Sequence, residues 1–255
     1  MSDLHGLTPS GLDLSTHAAP PQPGGPGRLS LREGAVDAWI GDLTKAEPVS
    51  AWESLLAKEE LERAARFRFE QDRHRYVYGR GLLRELAAAY LGTNPDQLEF
   101  LYGPGGKPGL APDAAGRQLC FNLSHSGARL LLGFGWNRQV GVDVELMRHD
   151  VETRQIGERY FSQEEQKALF SLTPAGQIPA FFRCWTRKEA YVKAVGEGLS
   201  LPLSQFDVSL LPGEPATLLA TRPDAVEASR WTLRNLDLGP EYAAAVAVEQ
   251  VNAQK

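Results

Sequence analysis

Two short stretches carry residue types suited to chemistry. In QVGVDVEL, Val140, Val142, Val144 and Leu146 alternate with Gly141, Asp143 and Glu145, the period-two pattern of a strand with one face in a core. The other face then presents two carboxylates about 7 Å apart along the backbone. Converging carboxylates repel unless a cation sits between them, and a hard divalent ion such as Mg²⁺ binds carboxylates while keeping waters and accepting phosphate oxygens. A solvated sheet face accounts for the pair equally well. In the stretch that runs into WTRKEAYVKAVGEG, Phe181, Trp185, Glu189 and Lys193 are spaced by four, forming a row along a helix that Gly196 stops. The plain reading is a surface Glu–Lys pair worth about 0.2–0.5 kcal/mol. The chemical reading is a third carboxylate for the metal and a cation for the phosphates it holds, the combination phosphoryl-type transfer needs.

The elements that must position these groups follow from periodicity. Helical spacing predicts two helices between Ser50 and Leu91, and helices over Glu152–Phe170 and Ile178–Val195. Turn-bounded segments predict strands at LEFLY, LCFNLSHSG, ARLLLGFGW and VGVDVEL, and again at SLPLSQFDVSL, SRWTLRNL and EYAAAVAVE. That order fits an α+β protein. Residues 1–28 are rich in Pro, Gly and Ser without a period, which predicts a disordered leader. No apolar run suits a signal peptide or a membrane span, so a cytoplasmic protein is expected. Cys120 and Cys184 lack metal-ligand spacing and read as buried small hydrophobes.

Between the first two helices, RAARFRFEQDRHRYVYGR gathers Arg63, Arg66, Arg68, Arg73, Arg75 and Arg80 in a chain of net charge −5. Ion pairing to Glu59, Glu62, Glu70 and Asp72 gives a solvated face; the functional alternative is a local phosphate site. The net charge argues against a general nucleic-acid binder.

FNLSHSG (121–127), GVDVE (141–145), YFSQEE (160–165) and WTRKEAYVKAVGEGLSLPL (185–203) together closely resemble the 4′-phosphopantetheinyl transferase superfamily in its longer, Sfp-type form. The resemblance runs in order from about Leu55 to Val208. It implies two similar α/β halves related by a pseudo-twofold, 29–138 and 139–250, with coenzyme A and Mg²⁺ in the cleft between them. The implied reaction is Mg²⁺-dependent transfer of the 4′-phosphopantetheine arm of coenzyme A to a serine of an apo acyl or peptidyl carrier protein, releasing adenosine 3′,5′-bisphosphate. A monomer is implied.

By the same resemblance, Asp143, Glu145 and Glu189 match the metal-binding acids. Glu165 matches a further acid assigned to metal or carrier contact, with Glu164 as its competitor. Lys193 and Lys188 match phosphate contacts, and Glu189 is either a metal ligand or the base that takes the serine proton. Ser124 and His125 match a phosphate-binding turn, Lys107 a lysine near the nucleotide, and Arg63 and Arg75 the positions that hold the 3′-phosphate. Glu60 stands where some relatives carry a cation, and Arg66 is the substitute. Carrier docking is placed in the C-terminal half, from Tyr160 to Phe182, with Lys167, Leu169, Phe170, Phe181 and Phe182 as contributors; Phe181 is assigned to the core, and Leu169 or Phe170 to the surface. Two alternatives remain: a non-catalytic coenzyme A or carrier-binding module of the same fold, and another metal-dependent phosphoryl transferase. The second should show a G-x-x-x-x-G-K-[ST] phosphate loop, which the sequence lacks.

Overall fold

The computed structural model describes residues 12–20, 22–45, 48–103 and 106–250. Strands β1 (Asp13–Ala18) and β2 (Ala35–Asp42) lead into helices α1 (Val49–Glu53), α2 (Lys58–Ala64) and α3 (Glu70–Leu91). A short ladder of β3 (Leu101–Tyr102) and β4 (Pro108–Gly109) precedes β5 (Leu119–Ser126), β6 (Arg129–Trp136) and β7 (Val140–Leu146). Helices α4 (Thr153–Tyr160), α5 (Gln163–Phe170) and α6 (Pro174–Val195) follow. The last strands are β8 (Phe206–Val208), β9 (Leu218–Thr221), β10 (Trp231–Asn235) and β11 (Tyr242–Glu249). Among the described residues, no helix is long and apolar enough to cross a membrane.

The chain is α+β, built from two helix-on-sheet units. A four-stranded sheet, ordered β1-β2-β6-β5, and a three-stranded sheet, ordered β10-β11-β7, form its centre. Alternation along the strands sorts side chains into three cores. On β6, Leu130, Leu132, Phe134 and Trp136 meet Leu82, Leu86 and Tyr90 of α3. Val36, Ala38 and Leu131 face Val140, Val142, Val144, Val246 and Val248, filling the space between the sheets. Ala245 and Ala247 of β11 turn the other way, onto Phe181, Ala190 and Ala194 of α6. The layers therefore run α3, sheet, sheet, α6, and β7 has its valines in the middle core as its alternation predicts.

Gly141 sets how closely α6 approaches β7. A Cβ at this position would stand 2.1 Å from the carbonyl oxygen of Ala190 and 2.3 Å from the amide nitrogen of Ala194. Only glycine lets the helix backbone lie directly on the strand, and this brings the last two turns of α6 over Asp143 and Glu145. Gly92 and Gly196, with φ of 68° and 84°, end α3 and α6 as left-handed caps.

Three expectations are corrected, the first being that the two helices expected between Ser50 and Leu91 are three, α1, α2 and α3. The predicted helix 152–170 is two helices, because Ser162 caps a new start: its hydroxyl accepts from the Glu165 amide while Glu165 accepts from the Ser162 amide. The predicted disordered leader is ordered from residue 12 within the described range. β1 pairs parallel with β2, and the amides of Gly24 and Gly25 donate to the buried Glu85 carboxylate of α3 at 2.5 and 2.6 Å. The Leu29 amide donates to the Ala89 carbonyl. Backbone groups, to which composition is blind, tie this segment down. Residues 1–11 lie outside the described range.

Candidate active site

β5 and β7 belong to different sheets and are joined by side chains. Asn122, Ser124 and Ser126 alternate on β5 and point at β7. The amides of Val142 and Leu146 donate to Asn122 Oδ1 and Ser126 Oγ at 2.9 and 3.1 Å. In return, Ser124 Oγ donates to Asp143 Oδ1 at 2.8 Å and Ser126 Oγ to Glu145 Oε2 at 2.7 Å. The FNLSHSG motif thus orients both carboxylates of GVDVE.

α6 supplies the rest. Lys193 Nζ lies 2.6 Å from Asp143 Oδ1 and 3.0 Å from Ser124 Oγ. Asp143 is almost fully buried, and its second oxygen, Oδ2, is buried with no hydrogen-bond partner among the described residues. Burial raises the pKa of Asp143 against the pull of Lys193 and Ser124. Burial also raises Glu145, with the neighbouring Asp143 charge adding to it. Glu189 is raised by burial and then by Asp143, with Lys193 as the opposing charge. Three carboxylates that each resist ionisation beside the others form a site short of positive charge. Among the described residues, no three acid, histidine or cysteine groups are already gathered at ligating range of one point; the acids surround Lys193 without converging.

Two cavities meet at this cluster and share Pro108, Asn122 and Leu123 as a wall. One, of about 360 Å³, is lined by Arg63, Arg75, Arg80 and His125 with the apolar surfaces of Leu83 and Phe121. Arg75 donates to Asp72 at 3.2 Å, and its Nε is buried with no partner among the described residues. Desolvation against the cavity wall, reinforced by the Arg75 charge, lowers the pKa of His125, although the residue remains partly exposed. The other cavity, of about 570 Å³, is lined by Glu189 and Lys193, by Arg159, Tyr160 and Trp185, and by the Leu201–Leu203 turn. Arg63, Arg75, His125, Lys107, Glu189 and Lys193 thus line one or other cavity, while Ser124, Asp143 and Glu145 lie beneath them.

Lys188 and Glu165 are not there. Lys188 is fully buried, with Nζ 2.8 Å from Glu165 Oε2 and donating to the carbonyls of Leu203 and Phe206 at 2.7 and 2.6 Å. Glu165 also accepts from the Val208 amide at 2.8 Å. The pair pins α5, α6 and β8 together, and both side chains are withdrawn from solvent and from the lining of the two cavities. Glu164 is exposed and paired with Lys167 at 2.7 Å. Glu60 is a buried counter-ion that accepts from Arg80 and Arg84, and Arg66 lines a separate cavity beside Arg63. On the expected docking face Phe181, Phe182 and Leu169 are buried, and Phe170 alone of those four is partly exposed. Cys120 and Cys184 are free and buried, as expected.

Asn122, Ser126 and Arg159 escaped the sequence reading, and Tyr160 entered it only as the start of YFSQEE and of the docking segment. The first two carried a signal: N-L-S-H-S alternates polar residues on one strand face, and a polar face next to an acidic strand implies contact between the two.

Residues 139–247 match the family described as 4′-phosphopantetheinyl transferase superfamily, and residues 44–133 match one described as 4′-phosphopantetheinyl transferase, N-terminal. The chain is 37% identical over 224 residues to the 4′-phosphopantetheinyl transferase HetI of Nostoc sp., covering 88% of this chain and 91% of that protein. It is 32% identical over 206 residues to a 4′-phosphopantetheinyl transferase of Bacillus subtilis, covering 78% and 87%. Among solved structures, a holo-(acyl-carrier-protein) synthase from Bacillus anthracis in complex with CoA (3′,5′-ADP) superposes with a TM-score of 0.36 at 22% identity, over 44% of this chain and 94% of that one.

Proposed function

The chain belongs to the 4′-phosphopantetheinyl transferase superfamily, and from that premise we propose that it moves the 4′-phosphopantetheine arm of coenzyme A onto a serine of an apo acyl or peptidyl carrier protein, with Mg²⁺, releasing adenosine 3′,5′-bisphosphate. The observation that carries this reading is the cluster of Asp143, Ser124 and Lys193 under the common wall of a cationic cavity and a largely apolar one. Asp143, Glu145 and Glu189 fit a hard divalent cation: all their donors are oxygens, burial disfavours their charges, and Asp143 Oδ2 is buried with no partner among the described residues. When bound, the metal supplies positive charge to the pyrophosphate oxygens as negative charge builds on the departing nucleotide.

The chain's own residues do the remainder. Arg63, Arg75 and His125 hold the nucleotide end through the 3′-phosphate, charge-assisted hydrogen bonds being the strong ones. Lys193 turns its ammonium from Asp143 toward the phosphate oxygens, where its charge stabilises the transition state more than the ground state. Ser124 keeps Asp143 oriented while this happens. The apolar cavity beside Trp185 and Tyr160 takes the pantetheine arm and shields it from water. Glu189 borders this cavity, where it serves either as the third oxygen ligand of the metal or as the base that accepts the serine proton. The carrier approaches across the rim at Arg159 and Tyr160.

High-performance liquid chromatography of the nucleotide products tests this reading: one adenosine 3′,5′-bisphosphate is expected per carrier modified, and coenzyme A consumed without that nucleotide would overturn it. Arg75→Ala should raise the KM for coenzyme A by roughly 10- to 100-fold, the equivalent of about 1.5–3 kcal/mol for a charged hydrogen bond. The KM for 3′-dephospho-coenzyme A should barely move. Steady-state kinetics on both substrates checks this, and equal effects would remove Arg75 from the 3′-phosphate.

A further inference from the structure

Lys107 sits in the turn between β3 and β4, on the side of the cleft that carries α3, yet its ammonium crosses to the other side. Nζ donates to the carbonyl of Ala194 at 3.1 Å, the carbonyl of Val140 at 3.3 Å and Oε1 of Gln139 at 3.2 Å. An ammonium has three N–H donors, and three acceptors take them. Ala194 is in the last turn of α6, where carbonyls lack intrahelical partners and carry the negative end of the helix dipole. Val140 opens β7. The aliphatic stem packs at the helix cap, since a Cβ on Gly196 would stand 3.4 Å from Lys107 Cδ. All four groups assigned to the chemistry hang from these two elements, Asp143 and Glu145 from β7, Glu189 and Lys193 from α6.

We propose that Lys107 is a positioning residue whose ammonium clips the C-terminal end of α6 to the start of β7, fixing Glu189 and Lys193 against Asp143 and Glu145, and that it does not serve as a phosphate ligand. The proposal rests on the transferase reading. A phosphate contact would cost at least one of the three carbonyl-type bonds, and Arg63, Arg75 and His125 already furnish cationic and donor groups on the nucleotide side. Burial brings the Lys107 pKa down to about 8, as befits an ammonium withdrawn from water and compensated by neutral oxygens. Ala194 directly follows Lys193, so a shift of the helix end moves that ammonium with it, and misplacement by about 1 Å can cost roughly 100-fold in rate.

Lys107→Met and Lys107→Arg should be compared by kinetics, by calorimetric titration of coenzyme A without divalent metal, and by Mn²⁺ binding to the free protein followed by electron paramagnetic resonance. Lys107→Met is expected to lower kcat roughly 10- to 100-fold and weaken Mn²⁺ binding roughly 10-fold, with the Kd for coenzyme A within about twofold of wild type. Lys107→Arg keeps the charge, but its planar fork does not fit three acceptors around one nitrogen, so it should show the same pattern in weaker form. A rise in the coenzyme A Kd of roughly 10-fold with unchanged kcat and Mn²⁺ affinity, or full activity of Lys107→Arg, would overturn the assignment. If Lys107→Met does not fold, Lys107→Arg decides alone. Should wild-type protein modify no carrier, the transferase reading falls, while the metal and coenzyme A titrations still report on Lys107.

Discussion

Asp143→Asn is expected to abolish transfer, with kcat falling by at least about 100-fold, while the thermal unfolding midpoint stays near that of wild type. The substitution is close to isosteric. The amide oxygen it introduces can still accept from Ser124 Oγ, which lies 2.8 Å from Asp143 Oδ1, and α6 can still pack on Gly141. Only the charge is lost, and with it the carboxylate oxygen that is buried with no partner among the described residues. Lys193 would then face a neutral amide beside Glu145 and Glu189, and the cluster would no longer hold a divalent cation tightly. Asp143→Ala should lose activity as fully, but it also removes the acceptor of the Lys193 and Ser124 bonds, so the asparagine variant is the cleaner test. Initial-rate measurements across a Mg²⁺ titration check it. Near wild-type turnover at millimolar Mg²⁺ would mean that the metal is not held by this side chain.

The second large effect concerns stability. Lys188→Met should cost roughly 3–5 kcal/mol, because it leaves the Glu165 carboxylate buried without a cation, and that corresponds to a fall of ~10 °C in Tm. Lys188 is fully buried, and Glu165 is 2% exposed, so water cannot take over the lost partner. Pairing Lys188→Met with Glu165→Gln should recover only part of the loss: it removes the unpaired buried charge, but the single amide oxygen can accept from the Ser162 or the Val208 amide and not from both, since these donate to different oxygens of Glu165. Circular dichroism melts of the three proteins decide the matter. If Lys188→Met melted like wild type and raised the KM for coenzyme A instead, Lys188 would be a phosphate contact after all.

The same pair shows where sequence reasoning reached and where it stopped. Successive residues on a helix are about 100° apart, so Lys188 and Glu189 point in different directions, whereas Trp185, Glu189 and Lys193 share a face. A helical wheel places Lys188 away from the cleft, information the motif match alone did not use. S-x-x-E in SQEE is a capping-box signature, and it accounts for Glu165 without any ligand. The two-carboxylate strand and the i,i+4 row on α6 were legible because their periods are strong. The glycine of GVDVE was readable as a strand position; that a helix backbone would press on it depends on which elements meet. β1 and the turn at Gly24 and Gly25 were illegible for a related reason, since main-chain hydrogen bonds and Glu85, some sixty residues away, hold them. Lys107 lines the larger cavity, but its acceptors are oxygens from distant segments, two of them backbone carbonyls, which no local pattern announces.

Intact-mass spectrometry of an apo acyl carrier protein incubated with this protein and coenzyme A, with and without Mg²⁺, tests the central claim most directly. The account predicts that the carrier gains the mass of one phosphopantetheine group in the presence of Mg²⁺, none when the metal is chelated, and none with Asp143→Asn. A gain that persists under chelation, or in the Asp143→Asn protein, would contradict the assigned site, and no gain on any apo acyl or peptidyl carrier would contradict the proposed reaction.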